Sequence, residues 1–283
     1  MDFLNSILPF LLCSVLLTAC VSKSPQGMGD ENTEKAASQL RIMSYNIHHA
    51  NPPGEKGVID LEAIAGVIRS EEPDLVALQE VDVHIPRSGN VHQAEALAAM
   101  LGMHFYFAKA IDFGGGEYGV AILSRYPLSD TRKVELPKED SPKAEGRVLA
   151  VATVQLPGGQ RIRFGSTHLD IQSSANRQQQ VQTIIAVAAA DQLPFILAGD
   201  LNDYPDSPAI ATLDETFQRT CLAACEATFP QDKPDRIIDY IAFTRSSGLA
   251  VRSHRVVPES YASDHRPVVA VLGLSSAPGA FSR

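Results

Sequence analysis

Six short segments of the chain place acidic, amide or imidazole side chains directly beside runs of apolar residues. The side chains concerned are Asn46, Glu80, His168, Asp200, Asn202, Asp239, Asp264 and His265. A carboxylate or imidazole next to Val, Ile and Leu is costly to desolvate unless it is paired or binds a metal ion. Because strand ends gather at one edge of a sheet, this repetition predicts one shared site that can hold a cation and transfer protons.

Each of these residues also has a structural explanation when it is taken alone. Asn46 suits a turn, Glu80 suits a salt bridge, and the "GDLND" segment suits a loop cap. The remaining positions suit turns or core polar residues with satisfied hydrogen bonds. Independent coincidences multiply, so the set as a whole favours a functional site.

Strands outnumber helices after residue 40. Apolar runs such as "LRIMSYNI" and "DLVALQEV" predict strands, and "LPGGQ" predicts a hairpin turn. The segment "DLEAIAGVIRSEEP" has helical spacing of apolar residues, with Asp60 as a cap and a proline as a stop. Helices are predicted in three main places, and no second domain boundary is evident. The pattern predicts an α+β fold in which two packed sheets are flanked by helices.

The polar segments resemble, in order and spacing, those of the endonuclease/exonuclease/phosphatase superfamily. Any one segment is weak evidence, whereas seven in the family order are specific. The resemblance covers about residues 40 to 273 and rests on the motifs "MSYNIHH", "LVALQEVD", "GVAILSRYP", "GSTHLD", "LAGDLND", "IDYI" and "SDHRPV". It implies a four-layered α/β sandwich with two central, mostly antiparallel β-sheets and outer helices. It also implies hydrolysis of phosphate esters with Mg²⁺ or Mn²⁺.

The resemblance implies a metal site. Glu80 would be the main metal carboxylate, Asn46 would lie beside it, and Asp264 would be a further metal or phosphate contact. Mg²⁺ takes hard oxygen ligands and keeps several waters, so one or two carboxylates and a substrate phosphate are enough.

The same resemblance implies the catalytic groups. Asp200 and Asn202 would help to position the attacking water and the phosphate. His168 and His265 would flank the phosphoryl group, and Asp239 would orient His265. In-line displacement at phosphorus moves charge onto oxygens, which fixed positive charge and hydrogen-bond donors must stabilise.

Three further residues are candidate contacts to the substrate phosphate, namely Arg87, Tyr118 and Arg147. Arginine offers a two-pronged donor and loops hold specificity, although surface salt bridges explain the arginines equally well. The other histidines show no metal-ligand spacing. The adjacent His48 and His49 are expected on opposite faces of an extended chain.

The N-terminal residues predict export. Residues 3–18 are apolar, shorter than a membrane span and interrupted by a proline, which predicts a signal peptide over residues 1–19. The "LTAC" segment resembles a bacterial lipobox, so Cys20 is the expected lipid anchor. The protein would then be attached to a bacterial membrane and face the periplasm or the surface. Because "MDFLNS" lacks Lys and Arg, an uncleaved N-terminal anchor is the alternative.

The sequence therefore predicts one folded domain behind a tether. Residues 20–39 contain the lipidated cysteine and a polar, flexible segment, residues 40–273 form the catalytic domain, and residues 274–283 form a disordered tail. Beyond the signal and the anchor, Cys221 and Cys225 remain. In an exported protein they can form a local disulfide or stay as two thiols.

Charge and composition limit the partners. The formal net charge of −9 opposes binding to a polyanion, and the chain has no Trp. We therefore expect a monomer with no strong nucleic-acid affinity, held at a membrane by its lipid. A phosphate ester is the expected substrate, with nucleic acid, a lipid head group and a small phosphate ester as open alternatives.

Two function classes follow. The first is a divalent-metal-dependent phosphoesterase, favouring phosphodiesters, that uses in-line attack of an activated water. The second is a non-catalytic, lipid-anchored binding protein with the same fold. Such a binding protein should lack Glu80, Asp200 or His265, and all three are present.

Overall fold

The computed structural model describes residues 39–141, 144–190 and 192–274. The strands in these residues are β1 (Gln39–Asn46), β2 (Leu75–Val83), β3 (His104–Phe113), β4 (Gly116–Ser124), β5 (Leu128–Glu135), β6 (Val148–Gln155), β7 (Arg161–His168), β8 (Phe195–Asp200), β9 (Phe217–Arg219), β10 (Asp239–Thr244), β11 (Ala250–Val256) and β12 (Val268–Gly273). The α-helices are α1 (Leu61–Glu71), α2 (Gln93–Leu101), α3 (Ser174–Ala189) and α4 (Pro208–Thr216). The predicted signal peptide, Cys20 and nearly all of the tether and tail lie outside the described residues.

The strands form two six-stranded sheets. The first has the order β11-β12-β1-β2-β4-β3 and the second has the order β5-β6-β7-β8-β10-β9. Within each sheet one central pair is parallel, β1 with β2 and β7 with β8, and the other pairs are antiparallel. The predicted pair of mostly antiparallel sheets is confirmed.

The central strands of each sheet are buried on both faces. Alternate side chains of a strand point to opposite faces, so Leu40 and Ile42 of β1 enter the core between the sheets, whereas Met43 and Tyr45 pack toward α1 and α2. The second sheet packs its outer face against α3 and α4 in the same way. The result is the predicted four-layered sandwich, with helices outside both sheets.

Local signals explain where helix α1 begins and ends. The Asp60 side chain accepts a hydrogen bond from the backbone N–H of Ala63 at 2.8 Å, which satisfies a free amide of the first turn. The helix ends at Glu71, Glu72 turns left-handed with φ 48°, and Pro73 follows. The predicted cap and stop are confirmed.

Three elements were not predicted from the sequence. Strand β5 lies at a sheet edge and is largely exposed, so it lacks the alternation of a half-buried strand. Strand β9 has three residues, and helix α4 has nine residues that begin at Pro208 after a Ser207 cap. Such short elements depend on tertiary packing more than on their own sequence.

The connection after β9 contains a pair of cysteines. Cys221 and Cys225 form a disulfide bond, which decides between the two alternatives for that pair. No helix in the described part of the chain is long and apolar enough to span a bilayer.

Candidate active site

The first sheet brings Glu80 to the site through a β-bulge in β2. Leu78 pairs with Ala121, whereas Val81 pairs with Gly119, so β2 has one extra residue against β4. Glu80 lies in this bulge with φ 56°, a backbone conformation that is uncommon for a residue other than glycine. Bulges re-aim side chains beside active sites. This bulge directs the Glu80 carboxylate to the carboxyl end of β1.

The second sheet aligns three predicted residues by strand register. His168 is paired with Asp200 across the parallel β7 and β8, and Asp239 is paired with Asp200 across the antiparallel β8 and β10. The glycine of the "GDLN" motif allows this arrangement, because a Cβ on Gly199 would lie 2.1 Å from the carbonyl oxygen of Thr167. Register therefore places one imidazole and two carboxylates side by side at the sheet end.

Asn46 connects the two sheets. Its Nδ2 donates to Glu80 Oε1 at 3.1 Å and to Asp200 Oδ2 at 3.1 Å, while its Oδ1 accepts from the backbone N–H of His48 at 3.1 Å. The amide nitrogen thus faces the carboxylates and holds them together. The predicted role of Asn46 beside the metal carboxylate is compatible with this contact, but its oxygen does not face the cavity in this orientation.

The "SDH" segment joins the same centre. Ser263 Oγ donates to the carbonyl oxygen of Asn46 at 2.7 Å and accepts from the backbone N–H of His265 at 3.3 Å. His265 Nδ1 lies 2.9 Å from Asp239 Oδ2, and its Nε2 lies 3.7 Å from Asp200 Oδ2. His265 therefore has one nitrogen on an orienting carboxylate and the other directed to the centre.

These side chains surround one cavity of about 430 Å³. The predicted site residues on its wall are Glu80, Tyr118, Arg147, His168, Asp200, Asn202, Asp264 and His265. Asn46 and Asp239 are buried against this wall. The structure therefore brings together every predicted catalytic and metal residue.

Arg87 is placed differently. Its Nε and Nη2 donate to the two carboxylate oxygens of Asp82 at 2.8 Å each, and its guanidinium lies 4.7 Å from the ring centre of Phe113. It lines a smaller cleft of about 110 Å³ next to Glu80 and Tyr118 rather than the main cavity. The guanidinium N–H groups of Arg87 that were expected to bind phosphate already donate to Asp82.

Arg147, by contrast, is a buried cation on the main cavity wall. Only 5% of the residue is exposed, its Nη2 lies 3.3 Å from Glu145 Oε2, and its Nε has no hydrogen-bond partner among the described residues. A buried guanidinium donor without a partner is costly. Arg147 is therefore a buried cation of the cavity wall with one donor that the described residues leave unused.

Several cavity residues were missed from the sequence. They are Glu145, Ile171, Tyr204, Phe229, Arg236 and Ile238. The Phe229 ring lies 4.6 Å from the His265 ring, and the Arg236 guanidinium lies 4.2 Å from the Phe229 ring centre. These two residues come from the long connection between β9 and β10, where neither periodicity nor motif spacing marks a site.

The expectation for His48 and His49 was wrong. The chain is not extended there but forms a short 3₁₀ turn, His48–Ala50, and the two imidazole rings lie 4.5 Å apart. His49 Nδ1 lies 3.9 Å from Glu80 Oε2. Both φ angles are 45°, a left-handed conformation that the residue types alone do not predict.

Burial and charge push the pKa values of the two histidines apart. Burial alone would lower the pKa of His265, but the carboxylates of Asp239, Asp200 and Asp264 outweigh it and raise that pKa to about 10. Burial and the Arg147 charge hold the pKa of His168 well below its usual value. One imidazole is therefore charged at neutral pH and the other is neutral, as acid and base roles require.

The pKa values of the Asp200 and Glu80 carboxyl groups also differ. Burial and the Asp239 charge raise the pKa of Asp200 to about 7. Burial would raise the pKa of Glu80 as well, but the nearby His49 imidazole, the hydrogen bond from Asn46 and the charge of His265 hold it well below its usual value. Glu80 is the permanent anion, and Asp200 is poised to exchange a proton near neutral pH.

The donor set fits a hard divalent cation. The carboxylates of Glu80, Asp200 and Asp264 line one cavity, and burial and the nearby Glu80 charge raise the pKa of Asp264. Carboxylate oxygens are the ligands that Mg²⁺ and Mn²⁺ prefer. Glu80 and Asp264 are the residues that would hold such an ion, because both oxygens of Asp200 already accept a hydrogen bond, from Asn46 and Asn202, whereas Glu80 accepts from Asn46 on Oε1 alone.

Comparison with known proteins agrees with this geometry. The chain is 27% identical to the uncharacterized protein YbhP of Escherichia coli K12 over 251 residues, which cover 83% of this chain and 96% of that one. It is also similar to a crystal structure of an endonuclease/exonuclease/phosphatase from Beutenbergia cavernae, with a TM-score of 0.70, 26% identity, and coverage of 86% of this chain and 73% of that one.

A mannosyl-6-phosphatase from Bacteroides thetaiotaomicron shares the fold, with a TM-score of 0.66, 18% identity, and coverage of 82% of this chain and 99% of that one. Residues 43–265 match the sequence profile of the Endonuclease/Exonuclease/phosphatase family, whose members are hydrolases of phosphate esters. The profile spans every cavity residue that forms the polar centre. The chain therefore belongs to the endonuclease/exonuclease/phosphatase family.

Proposed function

We propose that the chain is a divalent-metal-dependent phosphoesterase that acts on phosphodiesters through in-line attack of an activated water. One observation carries the proposal: Asn46 hydrogen-bonds Glu80 and Asp200 at the point where His265 is oriented by Asp239. Acid, base and cation ligands thus meet around a single space. A binding protein would have no need to keep this set of separated pKa values.

A bound Mg²⁺ or Mn²⁺ would polarise the phosphoryl group and stabilise the charge that develops on its oxygens. The chain itself supplies the remaining parts. Arg147 lies buried on the wall, and its Nε–H has no hydrogen-bond partner among the described residues. Its position supports a contact to a non-bridging oxygen of the phosphate, and Tyr118 lines the same wall.

Proton transfer is divided among the other residues. Asp200, whose pKa is raised by burial, is suited to accept the proton of the attacking water, and Asn202 holds its Oδ1 through a backbone N–H at 2.9 Å. His265 is suited to donate a hydrogen bond from Nε2 to the phosphoryl group. The neutral His168 lies beside this carboxylate, with its Nε2 3.6 Å from Asp200 Oδ2.

The substrate is an anion that is small or presented end-on. The cavity carries two arginines, Arg147 and Arg236, within a chain whose net charge is −9. Such a balance opposes a long polyanion but allows one phosphate group to bind locally. Two solved structures with the same fold are named as a mannosyl-6-phosphatase and a 2′,3′-cyclic phosphatase, which is compatible with a phosphate-ester substrate.

The proposal is tested by hydrolysis of bis(p-nitrophenyl) phosphate with Mg²⁺ or Mn²⁺. The wild-type protein should release p-nitrophenol in a metal-dependent manner, and His265→Ala should reduce kcat by about 10²- to 10⁴-fold. His104→Ala, at an exposed strand start, is the matched control. Equal rates for wild type and His265→Ala would leave the non-catalytic binding protein as the better account.

The location is part of the same proposal. Cys20 follows an apolar segment that resembles a bacterial signal, and we propose that it carries a lipid that holds a monomeric enzyme at the membrane outside the cytoplasm. Labelling with a palmitate analogue should mark the wild-type chain in the membrane fraction, and Cys20→Ala should be unlabelled. Labelling of Cys20→Ala to the same extent would refute the assignment.

A further inference from the structure

We infer that the chain carries a second cation site, formed by His48, His49 and Glu80, that takes a first-row transition-metal ion such as Zn²⁺. One nitrogen of each imidazole and one oxygen of Glu80 lie within 4.8 Å of one another. All three residues are partly accessible, so an ion can enter from solvent. The site shares Glu80 with the proposed catalytic centre, and its occupancy can be measured without any activity.

The backbone turn brings the two imidazoles together. Residues 48, 49 and 50 have φ angles of 45°, 45° and 60°, whereas neighbours in an extended strand would point to opposite faces. The side chain of Gln93 donates to the carbonyl oxygen of His49 at 2.6 Å and holds the turn in place. Left-handed residues in succession are costly and persist where the surrounding structure enforces them.

The ring of His48 is oriented for a metal ion. Its Nδ1 lies 2.9 Å from the carbonyl oxygen of Asn51. A carbonyl oxygen can only accept, so Nδ1 carries the proton and Nε2 keeps a free lone pair. Histidines that bind metals in proteins commonly donate their other ring N–H to a backbone carbonyl in this way.

The gap between His49 and Glu80 is slightly wider than the separation of two ligand atoms on one ion. His49 Nδ1 is buried without a hydrogen-bond partner among the described residues and lies 3.9 Å from Glu80 Oε2. That separation is too long for a hydrogen bond. In a tetrahedral zinc site, two ligand atoms at about 2.1 Å from the ion lie about 3.4 Å apart, so these two atoms would have to approach each other by about 0.5 Å.

The two carboxylate oxygens of Glu80 face different neighbours. Oε1 accepts from Asn46 within the catalytic centre, and Oε2 faces His49. Two imidazoles and one carboxylate suit Zn²⁺, which leaves a fourth position open, whereas the carboxylate oxygens of the main cavity suit Mg²⁺ or Mn²⁺. The two sites should therefore select different ions because their ligand atoms differ, although both sites use the Glu80 carboxylate.

The primary test is a Zn²⁺ titration of the metal-stripped full chain by calorimetry. His48→Gln and His49→Gln should each weaken Zn²⁺ binding by more than about tenfold. His84→Gln is the matched control, because His84 also has a left-handed φ of 54° and an Nδ1 close to a backbone carbonyl, that of Asn90, at 3.0 Å. Wild-type affinity in both variants, or no Zn²⁺ binding by the wild type, overturns the site.

A second test needs no substitution. Wild-type crystals soaked in ZnCl₂ should show an anomalous peak bonded to His48 Nε2, His49 Nδ1 and Glu80 Oε2, and a peak only elsewhere overturns the inference. Hydrolysis by the wild type with Mg²⁺ alone separates the two proposals. Hydrolysis without this zinc peak refutes the second site only, and the peak without hydrolysis refutes the proposed function only.

Discussion

His265 Nδ1 lies 2.9 Å from Asp239 Oδ2, and both residues are almost fully buried. This contact joins the start of β10 to the "SDH" segment before β12. It fixes the ring orientation and leaves Nε2 directed to the cavity. The contact therefore fixes His265, the residue that would contact the phosphate, relative to strand β10.

Asp239→Asn should reduce kcat by about 100-fold, because the amide neither orients nor charges His265 as the carboxylate does. The Asp239 and Asp200 carboxylates raise the pKa of His265 to about 10. The alkaline limb of the pH–rate profile should therefore move to lower pH in the variant. Asp214→Asn, which alters a pair with Arg219 instead, is the control. An unshifted limb would contradict protonated His265 as the active form.

The same pair should make stability depend on pH. The unfolded pKa of histidine is about 6.5, and the folded pKa of His265 is about 10, so its contribution is full below the unfolded value and is lost as pH rises toward 10. In the metal-free protein, His265→Gln should therefore lower the urea midpoint most near pH 7 and much less near pH 11. The measurement is urea unfolding across that range. A deficit that grows with pH would show the opposite linkage.

Much of this site follows from the sequence because strand ends have a fixed geometry. Asn46, His168 and Asp200 end strands that stand at the centre of their sheets, and the carboxyl ends of parallel neighbours share an edge. Short apolar runs that end in polar residues thus indicate both the strand and the site. Asp239 is recognisable for the same reason, since it begins a buried strand.

Other parts depend on contacts that no local pattern records. The bulge that exposes Glu80 arises from a register offset between β2 and β4. The ion-pair partner of Arg87 is Asp82, a buried residue of β2. Phe229 and Arg236 reach the cavity from a long connection whose path depends on packing. Sequence patterns report burial and periodicity, whereas these features depend on how distant segments meet.

Removing the Glu80 carboxylate should weaken binding of the metal ion without destabilising the fold. Glu80→Gln keeps the side-chain volume and an oxygen for Asn46, but it loses the charge at the bulge. The half-saturating Mn²⁺ concentration for hydrolysis should rise by more than about tenfold. Glu62→Gln, on the exposed face of α1, should behave as wild type. Unchanged Mn²⁺ dependence would remove Glu80 from the metal site.

Arg147→Met should act mainly on substrate binding. The buried guanidinium has a free Nε–H and lines the cavity beside Tyr118. A hydrogen bond to a charged group contributes about 1.5–3 kcal/mol, so KM should rise about tenfold to a hundredfold. Arg219→Met, another largely buried arginine in an ion pair, is the control for stability effects. Equal KM values in wild type and Arg147→Met would place the phosphate elsewhere.

Reduction of the disulfide should destabilise the fold modestly. The bond between Cys221 and Cys225 closes a loop of only a few residues. A loop this short loses little chain entropy in the unfolded state, which corresponds to about 2 kcal/mol. Urea unfolding with and without reductant measures the difference, and a Cys221→Ser, Cys225→Ser double variant should no longer respond to reductant.

The disulfide bond also lies in the connection that carries Phe229 and Arg236 to the cavity. Reduction should therefore raise KM more than it lowers kcat, and an unaltered KM would show that the cavity wall holds its position without the bond.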